Sequence, residues 1–238
     1  MAVAATRIDP EQTLGALVAE RPALTETLEQ LRLDYCCGGD QTLAEACRRR
    51  GLDAATVAVL LEQLANAAPL RRVDPHDLRG ATVPELCDHI VGAHHDRLRQ
   101  ELPRIEELLA TVVRVHGGEH AELHDLERLF TALARDLREH LSTEETSVFP
   151  VARALAAGEQ GDARAVELVE EHTAEHTATG DALAALREMA GGYETESAYC
   201  GTHRSLLQAL EAFELDLHQH VHEENNLLFP RMLALASQ

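Results

Sequence analysis

Apolar residues along this 238-residue chain recur at three- and four-residue intervals, a spacing that gathers them on one face of an α-helix. Val91, Leu98 and Leu102 form one such stripe, and Leu133, Leu137 and Val151 a second. Val169 with Leu183 marks a third, and Phe213, Leu217 and Leu227 a fourth. Alternating runs rich in Val, Ile and Thr, the mark of strands, are nearly absent. Breakers at His116-Gly117-Gly118, Gly158–Gly161 and Gly191-Gly192 leave four helical segments, 83–114, 120–157, 162–190 and 196–236. Thr82 with Glu85 opens the first of them as a capped helix. At about 1.5 Å per residue these segments span roughly 40–55 Å, and their short connections favour an up-down-up-down four-helix bundle. Upstream, Pro22, Thr42 and Gly51 with Asp53 punctuate shorter helices, and Gly38-Gly39 breaks the chain between them. The expectation is an all-α protein: a small helical domain over 1–67, a linker over 68–82 and a bundle over 83–238.

Each apolar stripe carries a histidine: His95, His140, His176 and His220. Two of them sit in a phrase that the chain uses twice, DLREHLSTEETSVFP at 136–150 and DLHQHVHEENNLLFP at 216–230. In both copies a glutamate follows one helical turn later, Glu144 after His140 and Glu224 after His220, so imidazole and carboxylate share a face. His95 and His140 lie 45 residues apart, His176 and His220 44. Two helical hairpins, each with one lone histidine and one His-x-x-x-Glu, would place four imidazoles and two carboxylates at one level. That set suits two metal ions, each with two histidines, bridged by the carboxylates and a solvent-derived oxygen. Mixed nitrogen and oxygen ligation in a bundle favours iron or manganese, with zinc also admissible. Burying such groups without a partner or a metal would cost several kcal/mol each.

Other residues compete for roles. Asp136 and Asp216, one turn before their histidines, read either as acceptors that fix the imidazole tautomers or as solvated charges. Pro150 and Pro230 are expected to kink or end their helices, with Phe149 and Phe229 packing the bundle end. His172, one turn before His176, is a candidate further ligand. His116, His120 and His124 read as a solvated face, and His94, His218 and His222 point away from the ligand stripes. In Asp34-Tyr35-Cys36-Cys37-Gly38-Gly39, adjacent cysteines would form only a strained disulfide. Their thiols suit metal or redox chemistry, or simply fill a turn. Cys47, Cys87 and Cys200 read as buried thiols.

Charge and composition narrow the partners. A net charge of −20 opposes binding to nucleic acid or anionic membranes. The first residues hold no apolar signal core, and no 18-residue apolar run exists. With five cysteines, an odd number, the expected compartment is reducing, hence the cytoplasm.

The Asp-Tyr-Cys-Cys-Gly-Gly phrase, followed by Gln41-Thr42-Leu43, resembles the N-terminal domain of the iron-sulfur cluster repair di-iron proteins. His95-Asp96-Arg97, His140-x-x-x-Glu144, Glu175-His176 and His220-x-x-x-Glu224-Asn225-Asn226-x-x-Phe229-Pro230 resemble their haemerythrin-like domain. The resemblance implies a non-haem di-iron centre bridged by carboxylates and an oxo or hydroxo group, held by His95, His140, Glu144, His176, His220 and Glu224. It also implies a functional role for Cys36 and Cys37, and repair of clusters damaged by nitric oxide or oxidants through supply of iron. Implied partners are iron-sulfur proteins as iron recipients and nitric oxide or oxygen as small ligands; a homodimer is left open. Glu175 and Asp136 would then line an acidic exit path for iron. The same first shell also suits a nitric oxide reductase or an oxygen or nitric oxide sensor, so enzymatic activity is left open.

Overall fold

The computed structural model describes residues 7–67, 78–159 and 163–237. Among them there is no strand, only one isolated bridge between Thr13 and Thr42. By internal packing the chain divides into two compact units. One holds the residues up to Thr82 together with Val221–Arg231; the other runs from Val83 to His220 and resumes at Met232.

The first unit contains α1 (Leu14–Glu20), α2 (Thr25–Gln30), α3 (Leu43–Arg50) and α4 (Ala54–Ala67). Their starts follow local chemistry. Thr13 caps α1, Thr42 and Glu45 form a reciprocal capping box on α3, and Asp53 accepts from the Thr56 amide at the start of α4. Gly51 ends α3 in the left-handed region at φ 69°, where glycine carries no steric penalty. Leu14, Leu17, Leu28, Leu43 and Leu61 form the core, and Cys36, Cys47 and Val221 pack into it. The linker expected at 68–82 lies outside the described residues over 68–77. Its described end forms a single turn, Leu78–Gly80, whose carbonyls accept from the Arg231 guanidinium.

The second unit is built on long rods. α5 (Val83–Ile90) runs through a π turn, Val91–His95, into α6 (Asp96–His116). α7 (Glu122–Thr143) runs through a π turn, Glu144–Val148, into α8 (Phe149–Ala156). α9 (Ala163–Met189) is one continuous helix, and α10 (Gly201–Glu223) passes through a third π turn, Glu224–Leu228, into α11 (Phe229–Ala236). Cross-rod contacts give the register. Arg153 reaches Asp88, Glu145 reaches His95 and Arg138 reaches Glu106, so the first two rods run antiparallel. His140 meets Glu175, and Arg187 meets Glu214. The rods share a leucine-rich core that includes Leu102, Phe130, Leu186 and Leu210. Of the stripes read from the sequence, Leu98, Leu133, Leu137, Leu183, Phe213 and Leu217 also lie in it, whereas Val91, Val151 and Leu227, in or just beyond the π turns that shift the helical phase, are only half-buried. The fourth rod begins at Gly201 rather than near 196. Residues 191–197 form two short 3-10 turns instead, because Gly191 and Gly192 both take positive φ.

Pro150 and Pro230 do not end their helices. Each follows a π turn closed by an i→i+5 bond, from the Phe149 amide to the Glu144 carbonyl and from the Phe229 amide to the Glu224 carbonyl. Proline offers no amide to the ladder, and the wider turn places it in the first turn of α8 and α11. The extra residue also corrects facing. In an α-helix, residues five apart point about 140° away from each other, whereas an i→i+5 bond returns the fifth above the first. Glu144 and Phe149 are therefore both buried, as are Glu224 and Phe229.

Close packing in the first unit yields a stability prediction. A Cβ on Gly15 would fall 2.1 Å from Asn226 Oδ1. In an open helix Gly→Ala adds about 0.5–1 kcal/mol; here Gly15→Ala is expected to cost roughly 1–3 kcal/mol through overpacking. Urea denaturation checks it, and Asn226→Gly in the same chain should restore most of the loss.

Candidate metal centre

In the second unit, one carboxylate stands at the centre of four imidazoles. Glu144 is fully buried. Its Oε1 lies 3.0 Å from His140 Nε2 and 3.8 Å from His176 Nε2. Its Oε2 lies 3.3 Å from His95 Nε2 and 4.0 Å from His220 Nε2. One oxygen thus serves each pair of histidines, with His95 joined to His220 and His140 to His176. The π turns put these residues at one level: His95 ends the first and Glu144 opens the second. Glu224 opens the third, one turn after His220 on the same helical rod, and is also fully buried.

Two further carboxylates fix the imidazole tautomers. His95 Nδ1 lies 2.7 Å from Glu145, which also accepts from Arg99, and His140 Nδ1 lies 2.7 Å from Glu175. Each ring thereby donates its Nδ1–H outward and turns an Nε2 lone pair inward. Lone pairs facing a carboxylate at 3.0 and 3.3 Å repel unless a cation lies between them. Protons are a poor substitute, because imidazolium would stand beside imidazolium, with ring centroids 5.0 Å apart, in a buried layer. Burial pushes the Glu144 carboxyl up, yet His140, His176 and His95 hold it well below the ordinary carboxylate range. That lowering needs positive charge among these imidazoles, which a bound cation can supply in place of protons. The donor set fits metal ions of the kind that take nitrogen and oxygen ligands.

Of the two roles open to Asp136, the structure shows the solvated charge. Asp136 is exposed and pairs with Arg135, because its place one turn before His140 lies on the outer edge of the rod. Asp216 binds Arg97 and lies 3.4 Å from His94 Nδ1. Glu145 gave no sequence signal, since it neighbours a ligand candidate rather than sharing its stripe. His94 is buried and stacks on His220 with ring centroids 5.4 Å apart. His218 faces Glu214 instead. His172 is buried beside His140, its Nδ1 donating to the Leu168 carbonyl, and groups with His140 and Glu175. His116 and His120 are more than a solvated face, for His120 stacks on Tyr199 at 3.8 Å and Tyr199 stacks on His203. Cys47 and Cys87 are buried as expected, but Cys200 is half-buried, its sulfur capping the His203 amide. A cleft of about 510 Å³ reaches the layer from outside, lined by Asp136, Glu139, His140 and Glu175 among apolar residues of α7 and α9.

Residues 88–232 match the Hemerythrin HHE cation binding domain, and residues 10–75 match a Domain of Unknown function, DUF542. The chain is 35% identical over 223 residues to a protein of Pectobacterium atrosepticum named iron-sulfur cluster repair protein YtfE, covering 94% of this chain and 97% of that protein. The protein of the same name from Pectobacterium carotovorum subsp. carotovorum is similar to the same extent. That from Musicola paradisiaca is 34% identical, over 94% of this chain and 96% of its own.

The hold of Glu175 on the His140 ring can be removed without touching the inner layer. Glu175→Ala is expected to weaken metal retention about 10–100-fold, measured by competition with a chelator. Asp125→Ala, which removes only an exposed pair with Arg128, should leave retention unchanged.

Proposed function

The chain belongs to the family of iron-sulfur cluster repair proteins built on a haemerythrin domain, and we propose that it repairs damaged clusters by supplying iron from its bundle. The observation that carries this reading is Glu144, a buried carboxylate that offers one oxygen to each of two histidine pairs. The proposed ligands are His95, His140, Glu144, His176, His220 and Glu224. Glu224 holds in the second copy of the repeated phrase the place that Glu144 holds in the first, and its complete burial calls for the same compensation. Two non-haem iron ions match this set in charge and donor type.

Bound there, the pair supplies exchangeable iron and positions open to nitric oxide or oxygen. The chain's own residues do the rest. Glu145 and Glu175 hold His95 and His140 with lone pairs inward. Phe149 is buried and stacks on the His95 ring with centroids 5.6 Å apart, giving that side of the layer an apolar cover. The cleft that meets His140 carries Asp136, Glu139 and Glu175 at its wall, an acidic path along which iron can leave as cargo. Cys36 and Cys37 offer the soft donors that an iron recipient or a transfer step requires. A repair protein of this kind works in the cytoplasm, and none of the described helices is long and apolar enough to cross a membrane.

Elemental analysis of freshly purified protein is expected to give near two irons per chain. Glu144→Leu should lose that iron while keeping its helical circular dichroism; retention of both ions would sink the ligand assignment. A Cys36→Ala/Cys37→Ala chain should keep its iron yet fail to restore an apo iron-sulfur protein, measured as recovered cluster absorbance. Undiminished restoration would remove the thiols from the transfer.

A further inference from the structure

The Asp34-Tyr35-Cys36-Cys37 loop lies in the first unit, where its side chains converge. Asp34 Oδ1 accepts the backbone amides of Cys36 and Cys37 at 3.2 and 2.9 Å, and sits 3.3 Å from Cys36 Sγ. Cys36 Sγ and Cys37 Sγ are 3.7 Å apart, far beyond the roughly 2.05 Å of a disulfide. A tetrahedral ion with metal–sulfur bonds of about 2.3 Å and metal–oxygen bonds of about 2.0 Å separates two sulfurs by about 3.8 Å, and sulfur from oxygen by about 3.5 Å. The sulfur pair stands at 3.7 Å and Cys36 Sγ at 3.3 Å from Asp34 Oδ1, each close to these values, and the ligand atoms of all three residues lie within 4.8 Å of one another. The loop is also held rigid. Asn225 and Asn226 amides donate to the Cys36 carbonyl, and Asn226 also donates to that of Tyr35. Gly39 lets the loop approach Asn226, where a Cβ would fall 2.4 Å from its oxygen.

The geometry points to Asp34, Cys36 and Cys37 as a second metal seat, taking one thiophilic divalent ion such as Fe2+ or Zn2+ on two thiolates and a carboxylate oxygen. Cys36 is buried while Cys37 is half-buried and Asp34 exposed, so the fourth position faces outward, open to water or to a ligand from a recipient protein. Binding exchanges the ion for the two thiol protons, which are released to solvent without any change of oxidation state. The Cys37 thiol, burial and the nearby Asp34 push the Cys36 thiol well up. Without an ion the Cys36 thiol is therefore a poor nucleophile. In purpose the seat rests on the repair reading, as a station where iron meets a recipient; in chemistry it stands alone.

Co2+ titration of the full-length protein, with its bundle metal in place and air excluded, tests the seat directly. Thiolate-to-cobalt charge-transfer absorption reports only sulfur ligation, and the bundle layer offers only histidine and glutamate. The expected result is one saturable Co2+ per chain with thiolate bands, abolished in Cys36→Ser and in Cys37→Ser. Asp34→Asn keeps an oxygen for both backbone amides, so the loop stays folded, yet affinity should fall about tenfold or more. Circular dichroism and retained bundle iron confirm that each variant is folded. Absence of the bands in the wild-type chain, their survival in either serine variant, or unchanged affinity in Asp34→Asn would overturn the seat. A seat that binds while iron transfer to an apo iron-sulfur protein fails would count against the repair reading alone. Transfer that proceeds with a blank titration would count against the seat alone.

Discussion

A single buried anion sets the terms for the second unit. Glu144 has no exposure to water, and an isolated carboxylate in such surroundings would be expelled or protonated. It stays charged only where positive charge is supplied among the four histidines, from four rods, that surround it. Those histidines reach it only if the rods run antiparallel with their helical phases aligned. The leucine layers along α6, α7, α9 and α10 supply the packing energy that holds this register. The layer then repays the cost of its own burial through whatever cation it binds. Fold and chemistry are therefore not separable here: loss of the cation leaves stacked lone pairs, and loss of the register leaves a stranded carboxylate.

The π turns are the device that reconciles ligand geometry with packing. An unbroken α-helix could point Glu144 or Phe149 inward, but not both. One inserted residue per turn lets both face the core, at a cost in helical hydrogen bonding that the following proline already forgoes. The same arrangement recurs at Glu224 and Phe229, so the repetition seen in the sequence extends to backbone conformation. At His95 a π turn appears without a proline, its closing bond running from the Asp96 amide to the Val91 carbonyl. Packing at the metal level, rather than the missing amide, is thus the common cause.

Much of this was legible in the sequence because it depends on periodicity. The four stripes, the glycine breaks and the His-x-x-x-Glu spacing are all local patterns with one geometric meaning. The histidines and Glu144 converge for that reason. What escaped was set by tertiary register. Glu145 shares no stripe with the ligands and becomes relevant only because the adjacent rod presents His95 to it. Asp136 had the better local position but lies on the rim, where Arg135 takes it. The prolines were expected to kink or end their helices and do not end them, since a helix breaker tolerated beside a π turn looks the same in sequence as one that ends a helix. Nothing local announced that 221–231 would pack with the N-terminal helices, because those contacts run through side-chain amides on a stretch whose pattern is otherwise that of the bundle.

That stretch is where the two chemistries meet along the chain. Glu224, the proposed sixth ligand, is followed at once by Asn225 and Asn226, whose amides hold the Tyr35 and Cys36 carbonyls. Gly15 and Gly39 exist as glycines because Asn226 occupies the space that side chains there would need. One short π turn therefore answers to two demands, a buried carboxylate on one side and a thiol-bearing loop on the other.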